Sequence, residues 1–184
     1  MKERPILFSA PMVRAILEGR KTQTRRVIKD CYLLGGPPTD ELLKLCPYGQ
    51  RGDRLWVREA FHICPHHEDY FYRADDENLP IKCKAHTKWR PSIHMPRAAS
   101  RTLLEITGLR VERLQDISQA DAIAEGVYAF NSQSKGLEGK PYYRSLFPPN
   151  KLFKQLWDSI NGEDSWDANP WVWVIEFKKV EASS

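Results

Sequence analysis

The sequence predicts an α+β domain built on a curled sheet or small β-barrel with flanking helices. Three observations predict it. Short β-branched or alternating segments outnumber helical ones, turn residues separate them at close intervals, and three or four stretches carry helical apolar spacing. The 184 residues and 41% apolar content suit a single domain, residues 1–184, with a core large enough to need no staples.

Pro5 to Phe8 reads as a short strand. Ser9 is the expected N-cap of the helix that follows, with Pro11 tolerated in its first turn. Val13, Ile16 and Leu17 form its apolar stripe, and Gly19 is placed to end it in a left-handed conformation. Thr22 to Ile28 has strand character. Residues 30–52 read as loop with a short helix, punctuated by Gly35-Gly36-Pro37-Pro38. Gly52-Asp53 turns into a strand over Arg54 to Ile63, and Tyr70 to Arg73 is a second strand. Residues 74–98 are polar, Pro-containing and irregular. Arg101 to Leu114 is a long strand broken at Gly108. Ser118-Gln119-Ala120-Asp121 resembles a capping box with Asp in place of Glu or Gln, opening a helix that Gly126 stops. Residues 129–149 read as a loop or mobile lid. Phe153, Leu156, Trp157 and Ile160 mark a last amphipathic helix, and Pro170 to Val180 a final strand. Insertions into the basic domain fall around residues 30–50, 64–98 and 127–150.

The net charge is +4, a mild basic excess. It is concentrated at the N-terminal end, where Lys2, Arg4, Arg14, Arg20, Lys21, Arg25, Arg26 and Lys29 face only Glu3, Glu18 and Asp30. Such clustering fits either phosphate contact or a solvated basic face. No hydrophobic run approaches the length of a transmembrane helix, so no membrane partner is expected. Met-Lys-Glu-Arg-Pro precedes only a short apolar stretch, so a signal peptide is not expected, and the expected location is cytoplasmic. The irregular spacing of Cys31, Cys46, Cys64 and Cys83 then implies free thiols. Nothing in the sequence sets an oligomeric state.

The run Gly19-Arg20-Lys21-Thr22-Gln23-Thr24-Arg25-Arg26 is the candidate site. With Lys21 in the turn after the helix and Thr24 on the strand, the two side chains can converge. On one strand, three positions apart, they would face opposite sides. A Thr hydroxyl is a weak nucleophile until a base removes its proton, and a Lys is that base only with a lowered pKa. Arg20, Arg25 and Arg26 push in that direction. Cations in this position also simply complement a helix dipole. Glu125 is the second candidate, a carboxylate in the last turn of its helix, against the dipole.

Together these pieces resemble the ASCH family, whose fold is PUA-like. The resemblance is carried by Ile16-Leu17-Glu18-Gly19, the run from Gly19 to Arg26, the turn Gly52-Asp53, the helix end Ala122-Ile123-Ala124-Glu125-Gly126 and the strand Val172 to Phe177. Trp56-Val57-Arg58-Glu59, the segment Lys88 to Arg97 and Trp166 to Trp171 are similar to the larger ASCH proteins of phages and prophages. The resemblance implies a small PUA-like β-barrel with a cleft at the signature, and partners that are RNA or modified nucleosides. Small bacterial ASCH proteins act as N(4)-acetylcytidine amidohydrolases through a Lys, a Thr and a Glu, which match Lys21, Thr24 and Glu125. The implied reaction is amide hydrolysis without a cofactor. Thr24 is the nucleophile, Lys21 the base, and Glu125 orients Lys21 or the substrate amide. Glu125 raises the Lys pKa while the arginines lower it. A non-catalytic RNA or modified-base binding module is the alternative, and a ribonuclease a weaker one.

Trp56 with Arg58, Trp89 near Arg90, and His94 are candidate substrate or nucleic-acid contacts, since a cation beside an aromatic suits a nucleobase and its phosphate. Trp173 alternates with Val172 and Val174 and reads as core. His62, Cys64, His66, His67, Cys83 and His86 hold one ligand-like spacing, Cys83-x-x-His86. With no second pair of that kind, no metal site is expected.

Overall fold

The computed structural model describes residues 1–29, 40–64, 69–78, 88–127 and 147–181. In chain order the elements are β1 (Glu3–Leu7), α1 (Ala10–Leu17), β2 (Gln23–Val27), α2 (Asp40–Lys44), β3 (Arg54–Arg58), β4 (Phe61–Ile63), β5 (Tyr70–Tyr72), β6 (Leu103–Arg113), α3 (Gln119–Ala124), α4 (Pro149–Asn161) and β7 (Trp171–Lys179). Five strands make one sheet in the order β1-β3-β6-β7-β2, and β4 and β5 make a separate hairpin. β1 and β3 run parallel; the other neighbours are antiparallel.

β7 organises the core because it is buried on both faces. Trp173, Ile175 and Phe177 point into one cluster with Ile6, Phe8, Val13, Ile16, Leu55, Val57, Leu104 and Ile106. Val172 and Val174 point into a second cluster with Leu114, Ala122, Leu152, Phe153, Leu156 and Trp157. This is the period-two alternation of a strand read on both sides, so Trp173 is core, as its spacing predicts. α1 covers the first face, and α3 and α4 cover the second. Among the described residues no helix is long and apolar enough to cross a membrane.

The expected barrel is corrected to an open sheet. β1 and β2 are its two edge strands, and among the described residues no backbone ladder joins them. Side chains fill the gap instead. The Arg26 guanidinium donates to the Leu7 carbonyl at 2.8 Å, and the Phe8 ring packs 6.1 Å from that of Phe177. The space between these unpaired edges becomes the main cleft.

A second correction concerns Arg54 to Ile63, which is two strands rather than one. The chain leaves the main sheet at Glu59. Its carboxylate is buried against Arg101 and its N–H meets the Met95 sulfur at 3.2 Å. The residues from Phe61 then pair with β5. The strand Leu103–Arg113 is not broken at Gly108 but bulged, with a register shift between Ile106 and Gly108. A Cβ at Gly108 would collide with the Glu176 carboxylate. The described parts of 74–98 are short 3-10 turns. Of the expected loop or lid at 129–149, residues 129–146 lie outside the described residues.

Candidate functional site

α1 carries Ser9 as N-cap and Pro11 in its first turn, as expected, although the Ser9 side chain makes no capping bond. At its other end Gly19 adopts φ 72°, and the N–H groups of Arg20 and Lys21 both donate to the Ala15 carbonyl, at 2.8 and 3.0 Å. This turn aims Lys21 inward. The chain then enters β2, where the Thr22 N–H bonds the Ala124 carbonyl at 2.9 Å. α3 is capped by Ser118, whose hydroxyl accepts from the Asp121 N–H at 3.0 Å. Gly126 ends this segment at φ 81°, and a Cβ there would lie 3.2 Å from Lys21 Cβ and 3.3 Å from Ala15 Cβ. A glycine is therefore what lets the end of α3 close on Lys21.

Lys21 is 2% exposed. Its Nζ donates to Glu125 Oε2 at 2.8 Å and to the Glu125 carbonyl at 2.9 Å, and lies 5.7 Å from the centre of the Phe8 ring. The two residues are 104 positions apart. Burial pushes the Lys21 pKa below its ordinary value. Glu125 pushes it up, Arg26 and Arg25 push it down, and the net direction is down. The opposition between arginines and glutamate seen in the sequence is thus decided by desolvation.

Thr24 is buried on β2 opposite Ile175. It lines a pocket of about 70 Å³ together with Met12, Glu125, Phe153, Trp157 and Asn161. Glu125 contacts both Lys21 and Arg25 and also lines the Thr24 pocket, which Lys21 does not. Arg25 is buried and committed to carboxylates: Glu112, Asp121 at 3.4 Å and Glu125 at 3.1 Å. It ties these acids together and also lines the Thr24 pocket.

A larger cleft of about 610 Å³ adjoins this pocket, with Met12, Arg26 and Ile160 in both walls. Phe8, Tyr48, Arg26 and Arg58 line it. Arg26 lies over the Phe8 ring, 5.3 Å from its centre. Arg58 and Arg97 sit over the ring of the half-buried Trp56 at 5.2 and 5.9 Å from its centre. Trp89 packs edge-on against His62, ring centres 6.4 Å apart, beside Cys64 and Phe71. His94 is exposed on a 3-10 turn, and Arg20 pairs with Glu18. Arg20, Trp56, Trp89 and His94 line neither the pocket nor the cleft.

Sequence reasoning missed Phe8, Met12, Tyr48 and Ile160 as cleft residues. Phe8 and Met12 flank the predicted N-cap Ser9, which was an available signal. Tyr48 carried none. His66, His67, Cys83 and His86 lie outside the described residues. His62 is buried, with Nδ1 3.3 Å from the Lys88 carbonyl.

No protein-family model and no curated protein matches the chain. Among solved structures, one titled as a high-resolution crystal structure of an ASCH domain from Lactobacillus crispatus JV V101 is similar to it. The similarity covers 97% of this chain and 79% of that one, with 13% identity and a TM-score of 0.42. A likeness of that degree identifies neither family nor activity.

Proposed function

We propose that this chain hydrolyses the amide of a short-acyl modified nucleoside, N(4)-acetylcytidine or one like it. The observation that carries the reading is the buried Lys21–Glu125 pair beside a pocket lined by Thr24. Thr24 Oγ1 attacks the acyl carbonyl while neutral Lys21 takes its proton. The C–N bond breaks, the proton passes from Lys21 to the departing amine, and cytidine leaves. Water then hydrolyses the acyl-threonine ester, releasing acetate and restoring the hydroxyl. Glu125 bonds Lys21 and reaches the Thr24 pocket, so it orients the base with respect to the nucleophile.

Two further features support this reading. The lowered Lys21 pKa increases the neutral fraction that a general base needs. The volumes also divide as an acylated nucleoside would require. About 70 Å³ suits an acyl group, whereas the adjoining 610 Å³ falls within the range of roughly 300–1,000 Å³ usual for ligand pockets.

The test is incubation with N(4)-acetylcytidine while following cytidine by chromatography. Release by the wild type and loss in both Thr24→Ala and Lys21→Ala is expected. No release by the wild type removes the hydrolase reading; release that survives both substitutions removes the residue assignment. A modified-base binding module is the second reading, favoured by the width of the cleft and its two arginines. It predicts that N(4)-acetylcytidine binds and is recovered intact.

A further inference from the structure

The cleft between β1 and β2 has an unusual charge balance. Among the described residues no Asp or Glu lines it, yet Arg26 and Arg58 both do. Most arginines near the site are neutralised locally. Arg14, Arg20, Arg25, Arg97, Arg101 and Arg110 each have a carboxylate within 4.0 Å. Arg26 and Arg58 have none among the described residues. Their N–H groups go to other acceptors: Arg26 to the Leu7 and Arg25 carbonyls and to Tyr48, Arg58 to the Ile93 carbonyl. The guanidinium groups are further fixed over the rings of Phe8 and Trp56. Arg58 Nε is buried and has no partner. Both guanidinium groups are therefore held in place with no salt-bridged carboxylate among the described residues, although Glu125 acts on Arg26 from beyond contact distance.

A cleft with two fixed guanidinium groups and no carboxylate in its described lining attracts an anion, and the fork geometry of Arg matches phosphate oxygens. Ser9 and Ser92 add hydroxyls to the same wall. The remaining lining (Pro5, Ile6, Met12, Ile160, and the rings of Phe8 and Tyr48) is apolar and suits a sugar and base.

We infer that this cleft is a phosphate subsite, with Arg26 and Arg58 holding the phosphate of a nucleotide whose base points toward the Thr24 pocket. The inference rests on the proposed nucleoside reading and narrows it: the substrate is a phosphorylated acylcytidine rather than the free nucleoside. The phosphate belongs either to a mononucleotide or to an RNA strand.

Calorimetric titration of cytidine 5′-monophosphate against cytidine tests it without relying on turnover. The nucleotide is expected to bind about tenfold or more tightly, as a charged hydrogen bond contributes. That preference should fall below about twofold in Arg58→Gln, return in part in Arg58→Lys, and weaken with added NaCl. Inorganic phosphate should compete with the nucleotide and not with cytidine. A tetracytidylate without terminal phosphates provides the second arm. Competition by it assigns the subsite to a strand phosphate, and its failure to compete assigns it to a mononucleotide; both outcomes keep the subsite. Equal affinity for nucleotide and nucleoside, or a preference unchanged in a folded Arg58→Gln protein, overturns the proposal. A wild type that binds the nucleotide preferentially but releases no cytidine from N(4)-acetylcytidine overturns the hydrolase reading and leaves the subsite intact.

Discussion

Among the described residues two carboxylates lie almost out of solvent contact, Glu59 at 1% exposure and Glu125 at 4%. Both are held by arginine. Glu59 is clasped by Arg101, with contacts at 2.9 and 3.2 Å, and Arg101 in turn pairs with Asp75 and lies 4.0 Å from the centre of the Tyr72 ring. That cluster ties the β4–β5 hairpin side of the molecule to the end of β3. Neither Glu59 nor Arg101 lines the Thr24 pocket or the adjoining cleft. Glu125 is held by Arg25 and Lys21, and it faces the Thr24 pocket. Burial of a charged pair is thus poor evidence for function by itself, because its desolvation cost is met by geometry in either case. The distinguishing features are a hydroxyl and an unfilled space beside the second carboxylate.

Four measurements break or sharpen this contrast. Thr24→Val keeps the branched shape and removes the hydroxyl. Cytidine release is expected to fall about 10⁴-fold, the scale of nucleophile removal, with a melting temperature little changed; retained activity would end the distinction between the two carboxylates. Arg101→Ala strands Glu59 as a buried charge. A loss of about 3 kcal/mol is expected, lowering the melting temperature by about 10 °C, with kcat at low temperature unaffected. An equal loss of kcat would make the hairpin anchor part of the site.

Glu125→Gln is expected to slow release by about 10–100-fold through poorer orientation of the base, in the range of general-base contributions. Its pH profile is the sharper readout. Wild-type activity should rise with pH through a Lys21 pKa below 10.5, since burial lowers it and only the neutral amine accepts a proton. Removing the Glu125 charge takes away the interaction that raises that pKa, so the rising limb should move to lower pH. A shift the other way would remove Lys21 as the base. The smallest effect belongs to Glu59→Gln. Burial raises the Glu59 pKa above 4.5, with Arg101 opposing. A raised carboxyl pKa leaves stability whole below the unfolded value and erodes it as pH climbs through the folded value. Urea melts should therefore show the wild type losing stability relative to Glu59→Gln above pH 4.5.

Much of this was legible locally. Ser118 bonds the Asp121 N–H as its spacing predicts, and Gly19 and Gly126 both take positive φ where helix ends were expected. Thr24 and Glu125, quoted from separate segments, do line one pocket. Other features were not legible, because local spacing carries no information about distant partners. Arg25 resembled a phosphate ligand within a basic run, but Glu112 and Asp121 reach it from other elements. Trp56 resembled a stacking platform beside Arg58, but Arg97 also covers its ring.

The sequence by itself determined where α1 and α3 begin and end, through caps and glycines that act within a few positions along the chain. It also placed a basic, Thr-containing run immediately after a helix. Only the tertiary structure decided that the sheet stays open between β1 and β2, that Lys21 is buried against a carboxylate 104 residues away, and that Arg25 pairs with three acids while Arg26 and Arg58 form no salt bridge among the described residues. Those outcomes depend on which long-range contacts compensate each desolvated group, and compensation is a property of the packed molecule rather than of any segment.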